Sequence, residues 1–185
     1  ADPAQRLPDL DRRIDPVEKS GKKRSGGSTQ KRINKKSRDK KLRKEVIKAM
    51  EKQKILIAYF SHAGENYAEG SIVKLEEGNT AVAAKKMQQL TGADLFEICP
   101  EKPYSANYAE CVKEAREELQ ADARPELQGT LPDLAPYDAI CLGYPNWCGT
   151  MPMPVFTFLE RVVTEGKIIY PFCTNEGSGM GHSLD

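Results

Sequence analysis

The chain has 185 residues and a formal charge of only +1, yet residues 1–53 carry 18 Lys and Arg against 8 Asp and Glu (net +10) and residues 54–185 carry 10 against 19 (net −9). All five Phe, all seven Tyr, all five Cys and the single Trp lie after residue 53, so only that part can build a core, and its roughly 130 residues suit one layered domain. No apolar run approaches the ~18 residues of a membrane span and no secretory signal opens the chain. Five widely spaced Cys with two His argue against a zinc site or a disulfide framework and for reducing, cytoplasmic surroundings.

Residues 1–37 are rich in Lys, Arg, Gly, Ser and Asp, with Pro3, Pro8 and Pro16 among them. They cannot bury enough apolar surface to offset their chain entropy, and disorder is expected to about residue 38. Leu42, Val46, Ile47 and Met50 then form a narrow stripe that predicts a helix over 39–52, too thin and short to be stable alone. Together, 1–53 read as a basic extension. Its charge fits an acidic partner, a nucleic acid or a membrane surface. The absence of Trp, Tyr and Phe speaks against nucleic acid through residues 19–48. The plainer reading is a solubilising or processed leader, or an artificial junction, in keeping with a first residue that is Ala rather than Met.

From Lys54 strands and helices alternate. Lys54–Phe60 (KILIAYF) is an unbroken apolar run, the mark of a parallel strand buried on both faces. Thr80–Leu90 predicts a helix with its N-cap at Asn79 or Thr80 and its stop at Gly92. Asp94–Cys99 is a second strand, Ala106–Ala123 a long charged helix, Asp138–Tyr144 a third strand, Pro154–Val163 a short apolar helix and Lys167–Cys173 a fourth strand. Such spacing implies right-handed crossovers and a parallel α/β sheet. Cys99, Cys141 and Cys173 read as small hydrophobes within strands, and Cys148 as a loop thiol. The charged run Lys113–Glu118 reads as a solvated helix face.

Ligands of open parallel sheets lie beyond the carboxyl ends of the strands, where strand order reverses. The loops at those ends begin at Ser61, Pro145 and Thr174. The first opens Ser-His-Ala-Gly at 61–64 and closes Gly-Asn-Thr at 78–80, where a helix starts; amides at such a terminus bind a dianion without Lys or Arg. The second, YPNWCGTMPMP from Tyr144 to Pro154, holds the only Trp. The third, CTNEGSGMG from Cys173 to Gly181, allows close backbone approach at its three glycines.

Taken together, these loop words resemble the flavodoxins, over about Lys54 to Ser183, and flavodoxins are themselves an example of the switch-point rule. The resemblance implies a flavodoxin-like, doubly wound α/β fold over 54–185 with parallel order 2-1-3-4. It also implies FMN as cofactor, with Ser61, His62, Ala63, Asn79 and Thr80 at the phosphate, and Pro145, Asn146, Trp147, Cys148 and Gly149 with Thr174, Glu176, Gly177 and Gly179 around the flavin ring. The segment Glu65–Glu77 is an insertion in the phosphate loop, similar to that of one branch of flavodoxin-like proteins. The chemistry is then the cofactor's: electron transfer, or reduction of a small quinone or nitro compound with NADPH or NADH as donor. The acidic domain lowers the flavin potential by charge repulsion, within the limit set by screening.

Each assignment has a plainer counterpart. Trp147 could be a rim residue on Pro145 and Pro152; His62 is expected to act through its backbone N–H, with its ring and that of His182 solvated; Glu176 either meets the flavin or caps a turn. No residue is assigned a catalytic role and no metal site is expected. The flavodoxin pattern has a fifth strand and a last helix beyond the point where this sequence stops. An open edge on the fourth strand is therefore expected, covered by a second chain or a dimer partner, and Leu42, Val46 and Met50 are candidates for the place of the last helix. The alternative function is a flavodoxin-shaped scaffold or fragment without flavin, whose basic segment binds a partner or nucleic acid.

Overall fold

The computed structural model describes residues 53–185. The expected disorder to residue 38, the helix over 39–52, the docking of Leu42, Val46 and Met50 and the basic surface of residues 19–48 all lie outside the described residues.

Strand β1 (Ile55–Tyr59) is apolar at every position, and each of its residues is buried to 5% exposure or less. It therefore sits inside the sheet, paired in parallel with β4 (Asp94–Glu97) on one edge and β5 (Ala139–Pro145) on the other, with Ile57 opposite both Leu95 and Cys141. Strand β6 (Ile168–Thr174) adds to β5 in parallel, giving the order β4-β1-β5-β6. Counted along the parallel strands alone, this is the expected 2-1-3-4.

Period-two alternation divides the core into two layers. Leu56, Ala58 and Phe60 pack with Ile98, Ile140, Leu142, Tyr144 and, from α3 (Met153–Arg161), Val155 and Phe158. Ile55, Ile57 and Tyr59 face the other way, against Ala81 and Ala84 of α1 (Asn79–Thr91). Helix α2 (Tyr108–Gln120) packs beside α3. It starts two residues later than predicted because Asn107 takes the N-cap, its side chain accepting from Glu110 N at 3.2 Å. Gly92 closes α1 as expected, in the left-handed conformation with its N–H on the Gln88 carbonyl.

Two expectations need correction. Neither Asn79 nor Thr80 caps α1: the N-cap is Gly78, which has no side chain to offer, and the Ser61 hydroxyl instead accepts from Ala81 N at 3.0 Å from across the loop. The charged run 113–118 is only partly a solvated face. The Glu114 carboxylate accepts from Ser105 N at 2.9 Å and the Glu118 carboxylate from the Tyr104 hydroxyl, because the stretch before α2 folds back over that helix.

Residues 64–75, most of the segment expected as an insertion, form an antiparallel hairpin, β2 (Gly64–Ala68) and β3 (Ser71–Leu75), separate from the main sheet. Its two-residue turn places both Glu69 and Gly70 at positive φ, the combination that matches strand twist in tight hairpins. At the other end of the domain β6 has one sheet neighbour among the described residues, and Ile168, Ile169 and Tyr170 are exposed.

The Phe158 ring is fully buried and stacks on Phe96 at 5.6 Å. Phe158→Ala is expected to lower the unfolding free energy by about 3–5 kcal/mol. Val163→Ala, at a side chain left 74% exposed, should change it by less than about 0.5 kcal/mol. Urea titrations of both variants check the contrast.

Candidate functional site

Parallel pairing delivers the ends of β1, β5 and β6 to one edge of the sheet. There a cleft of about 600 Å³ opens between the loops that follow these strands, the hairpin and α2. Four features build it.

The first is the entry to α1. Ser61, Asn79 and Thr80 line the cleft where the first N–H groups of a helix lack acceptors. Thr80 is buried at 1% exposure and its hydroxyl meets that of Thr174, which also lines the cleft, at 2.7 Å. A Cβ on Gly78 would stand 2.3 Å from Ser61 Oγ and 2.4 Å from the His62 carbonyl oxygen, so glycine is required for the loop to close onto the helix. The result is a hydroxyl-rich concavity with no Lys or Arg among its residues, suited to an anion held by amides and hydroxyls.

The second is an aromatic cluster. Trp147 stands edge-on to Phe60 at 5.2 Å, to Tyr104 at 4.9 Å and to His62 at 5.7 Å. Its ring packs in an aromatic nest. His62 turns its imidazole, as well as its backbone, into the cleft wall. Its Nε2 is buried with no hydrogen-bond partner among the described residues. Burial pushes its pKa below the ordinary histidine value, opposed in part by the Glu114 carboxylate and the Ser105 backbone.

The third is the junction of the second and third loops. Asn146 N donates to the Thr174 carbonyl, its Nδ2 to the Gly179 carbonyl at 2.9 Å, and its Oδ1 accepts from Gly149 N at 3.1 Å. Asn175 Oδ1 accepts from the amides of Gly177 and Gly179. The close approach for which glycine is needed is between the loops themselves: a Cβ on Gly181, which has φ +56, would lie 2.0 Å from the Gly149 carbonyl oxygen.

The fourth is the hairpin, which is fastened at both ends. Glu65 N donates to the Ala106 carbonyl at 2.8 Å, and the Glu65 carboxylate accepts from Asn107 Nδ2 and Tyr108 N at the start of α2, a favourable place for a negative charge. At the tip, Glu69 N donates to Glu176 Oε2 at 3.1 Å. Glu176 thus ties the third loop to the hairpin.

Of the residues expected at the ligand, Ser61, His62, Asn79, Thr80 and Thr174 converge at one side of the cleft, and Pro145, Asn146, Trp147, Cys148 and Glu176 also line it. Ala63, Gly149, Gly177 and Gly179 are not among its lining residues; the three glycines shape the loops behind it. Cys148 is exposed at φ +54, and Cys173 is half-buried with its Sγ toward the Thr174 and Gly179 carbonyls. The α2 wall was missed: Tyr108, Cys111, Val112, Ala115 and Arg116, with Tyr67 from the hairpin. Their spacing along the helix is that of a single face and was available in the sequence. Burial raises the Cys111 thiol to about 12, so it is a neutral wall group.

The sequence profile of the family described as Flavodoxin matches residues 54–185. The chain belongs to the flavodoxin family. Among solved structures, a protein of Bacteroides eggerthii classed as a flavoprotein is 31% identical, with a TM-score of 0.58 over 71% of this chain and 77% of that one. A second, from Bacteroides uniformis, is also 31% identical, with a TM-score of 0.53 over 67% and 73%. A Lactobacillus acidophilus flavoprotein in complex with FMN is 25% identical, with a TM-score of 0.53 over 68% and 76%. No curated protein matches.

Two outcomes test this flavodoxin site. Gly78→Ala should cost roughly 1–3 kcal/mol, since the new methyl meets backbone that cannot move away cheaply; thermal unfolding reads it. His62 is held neutral by the fold, so the folded state binds fewer protons than the unfolded chain. Its contribution is complete above the ordinary histidine pKa and is lost as pH falls through the lowered folded value. The urea midpoint of the wild type should therefore drop between pH 7 and pH 5 by more than that of His62→Asn.

Proposed function

We propose that the domain binds FMN in this cleft and reduces small quinone or nitro compounds, with NADPH or NADH as electron donor. The observation that carries the reading is the entry to α1: a helix N-terminus, the Ser61 hydroxyl, the Thr80–Thr174 hydroxyl pair and a required glycine converge on one concavity of the cleft. Such a set suits a phosphate dianion, and the donor chemistry fits FMN. The phosphate falls to Ser61, Asn79, Thr80 and Thr174, and the ring to the neighbourhood of Trp147, Pro145 and Cys148. The FMN complex of the Lactobacillus acidophilus relative supports the same cofactor. When bound, FMN supplies the electron-transfer chemistry, and the chain's own part is to bind and orient it. The α2 wall favours a reductase over a carrier, since a carrier needs only an exposed flavin edge. The five free cysteines fit a reducing compartment, and we assign the protein to the cytoplasm.

Titration of the purified chain with FMN, followed by quenching of flavin fluorescence, should show stoichiometric uptake. Thr80→Val should weaken it about 10- to 150-fold, the loss expected for one hydrogen bond to a charged group. Stopped-flow mixing with NADPH should bleach the flavin band on a catalytic timescale. A loaded protein that stays oxidised is a carrier, and one that takes up no FMN is not a flavoprotein.

A further inference from the structure

The α2 side of the cleft carries groups that the phosphate end does not use. Tyr67 of the hairpin and Tyr108 of α2 both line it, their rings 6.4 Å apart and inclined by 35°. Tyr67 remains 48% exposed, so an aromatic face is presented to the opening. Arg116 lies two turns along α2 from Tyr108 and is the one Lys or Arg among the lining residues.

Its neighbours in charge are already committed. The two carboxylates of the cleft, Glu65 and Glu176, each hold hairpin or helix amides. The other two arginines of the domain grip carboxylates with two contacts each, Arg124 on Glu160 and Arg161 on Glu126. Arg116 has no ion pair among the described residues. In a domain of net −9, an anion approaching from solvent is repelled over most of the surface, and an uncommitted guanidinium in the same cleft wall as the two tyrosines, about 12 Å along the helix from Tyr108, is the local exception.

We propose that this side of the cleft is a second binding subsite, for a planar aromatic substrate carrying an anionic group, with Arg116 as the anion contact and Tyr67 and Tyr108 as the ring contacts. The subsite rests on the flavin reading for its role beside the cofactor, while its binding function is readable without it. Two sources share this chemistry, a sulfonated or carboxylated quinone and a reduced nicotinamide dinucleotide. Guanidinium recognition of the anion and stacking on tyrosine would act on either.

Trp147 is the only tryptophan in the chain and lines the same cleft, so its fluorescence reports binding to the flavin-free protein. The full chain, flavin-free and FMN-loaded, is titrated with 1,4-naphthoquinone-2-sulfonate, with NADPH, and with neutral 1,4-naphthoquinone, after correction against free tryptophan. One of the two anionic probes at least should bind saturably. Arg116→Gln should weaken that binding about tenfold, Arg116→Lys by less, and the neutral quinone should be unaffected. The probe that responds identifies the source. Equal affinities in wild type and Arg116→Gln, or no saturable response to either anionic probe, overturn the subsite. So does an Arg116→Gln variant whose FMN affinity falls as far as its probe affinity, because Arg116 then serves the cofactor. If FMN is not taken up while the flavin-free titration still depends on Arg116, the flavin reading fails and the subsite stands.

Discussion

Burial of β1 on both faces and its pairing on both edges is the constraint on which the remaining architecture depends. Each residue of β1 is apolar and buried, and its amides are satisfied by neighbours on each side. Parallel pairing then aligns β4, β5 and β6 with it, so that every strand ends at the same edge of the sheet. The loops that begin at Ser61, Asn146 and Asn175 are neighbours because their strands are in register, and the cleft is the space those loops leave above the sheet.

Within that edge, the geometry is held by polar groups that serve the protein before any ligand. Asn146 joins the second loop to the third with its backbone and both ends of its carboxamide. Ser61 completes α1, and Glu65 and Glu176 hold the hairpin at base and tip. Rigidity of this kind lets a few groups be aimed into a cavity at low entropic cost on binding. It also explains why a residue type associated with a ligand need not touch one: Gly181 is small so that two loops can meet, while Gly149, Gly177 and Gly179 take positive φ, the last two where a turn wraps the Asn175 side chain.

The parallel sheet and its order were legible because the strand segments are short apolar runs separated by segments long enough to cross over. Element ends moved by up to three residues, as at α2, where Asn107 takes the N-cap and Ala121 the C-cap. The α1 end of the cleft was legible through Ser61 and Thr80, since small hydroxyls at a strand-to-helix junction have few other uses. The capping of α1 was not, because it is supplied from 20 residues away in sequence, beyond any local signal. The hairpin was visible only as an insertion: its acidic, half-apolar sequence has a pairing pattern, but Glu69 at positive φ is not the residue that usually announces a tight turn. The α2 wall was missed for another reason. Its periodicity reads equally as packing against the sheet, and only the fold shows that part of that face borders empty space.

The charge division inside the acidic domain follows one physical rule. An anion can be held in a negative domain either by dipoles, which add no net charge and act at contact distance, or by a cation, whose field extends to about the Debye length of ~8 Å at physiological ionic strength. The α1 end of the cleft uses the first means, with amides and hydroxyls enclosed by the Gly78 turn. The α2 end has the second, a guanidinium on an exposed helix position. Dipoles suit a resident group that stays bound and fits closely, since their benefit vanishes with distance. A side chain with reach and long-range attraction suits a group that must be drawn in from solvent and released again. Under the proposed function, the α1 end of the cleft keeps the cofactor and the α2 end exchanges the second ligand.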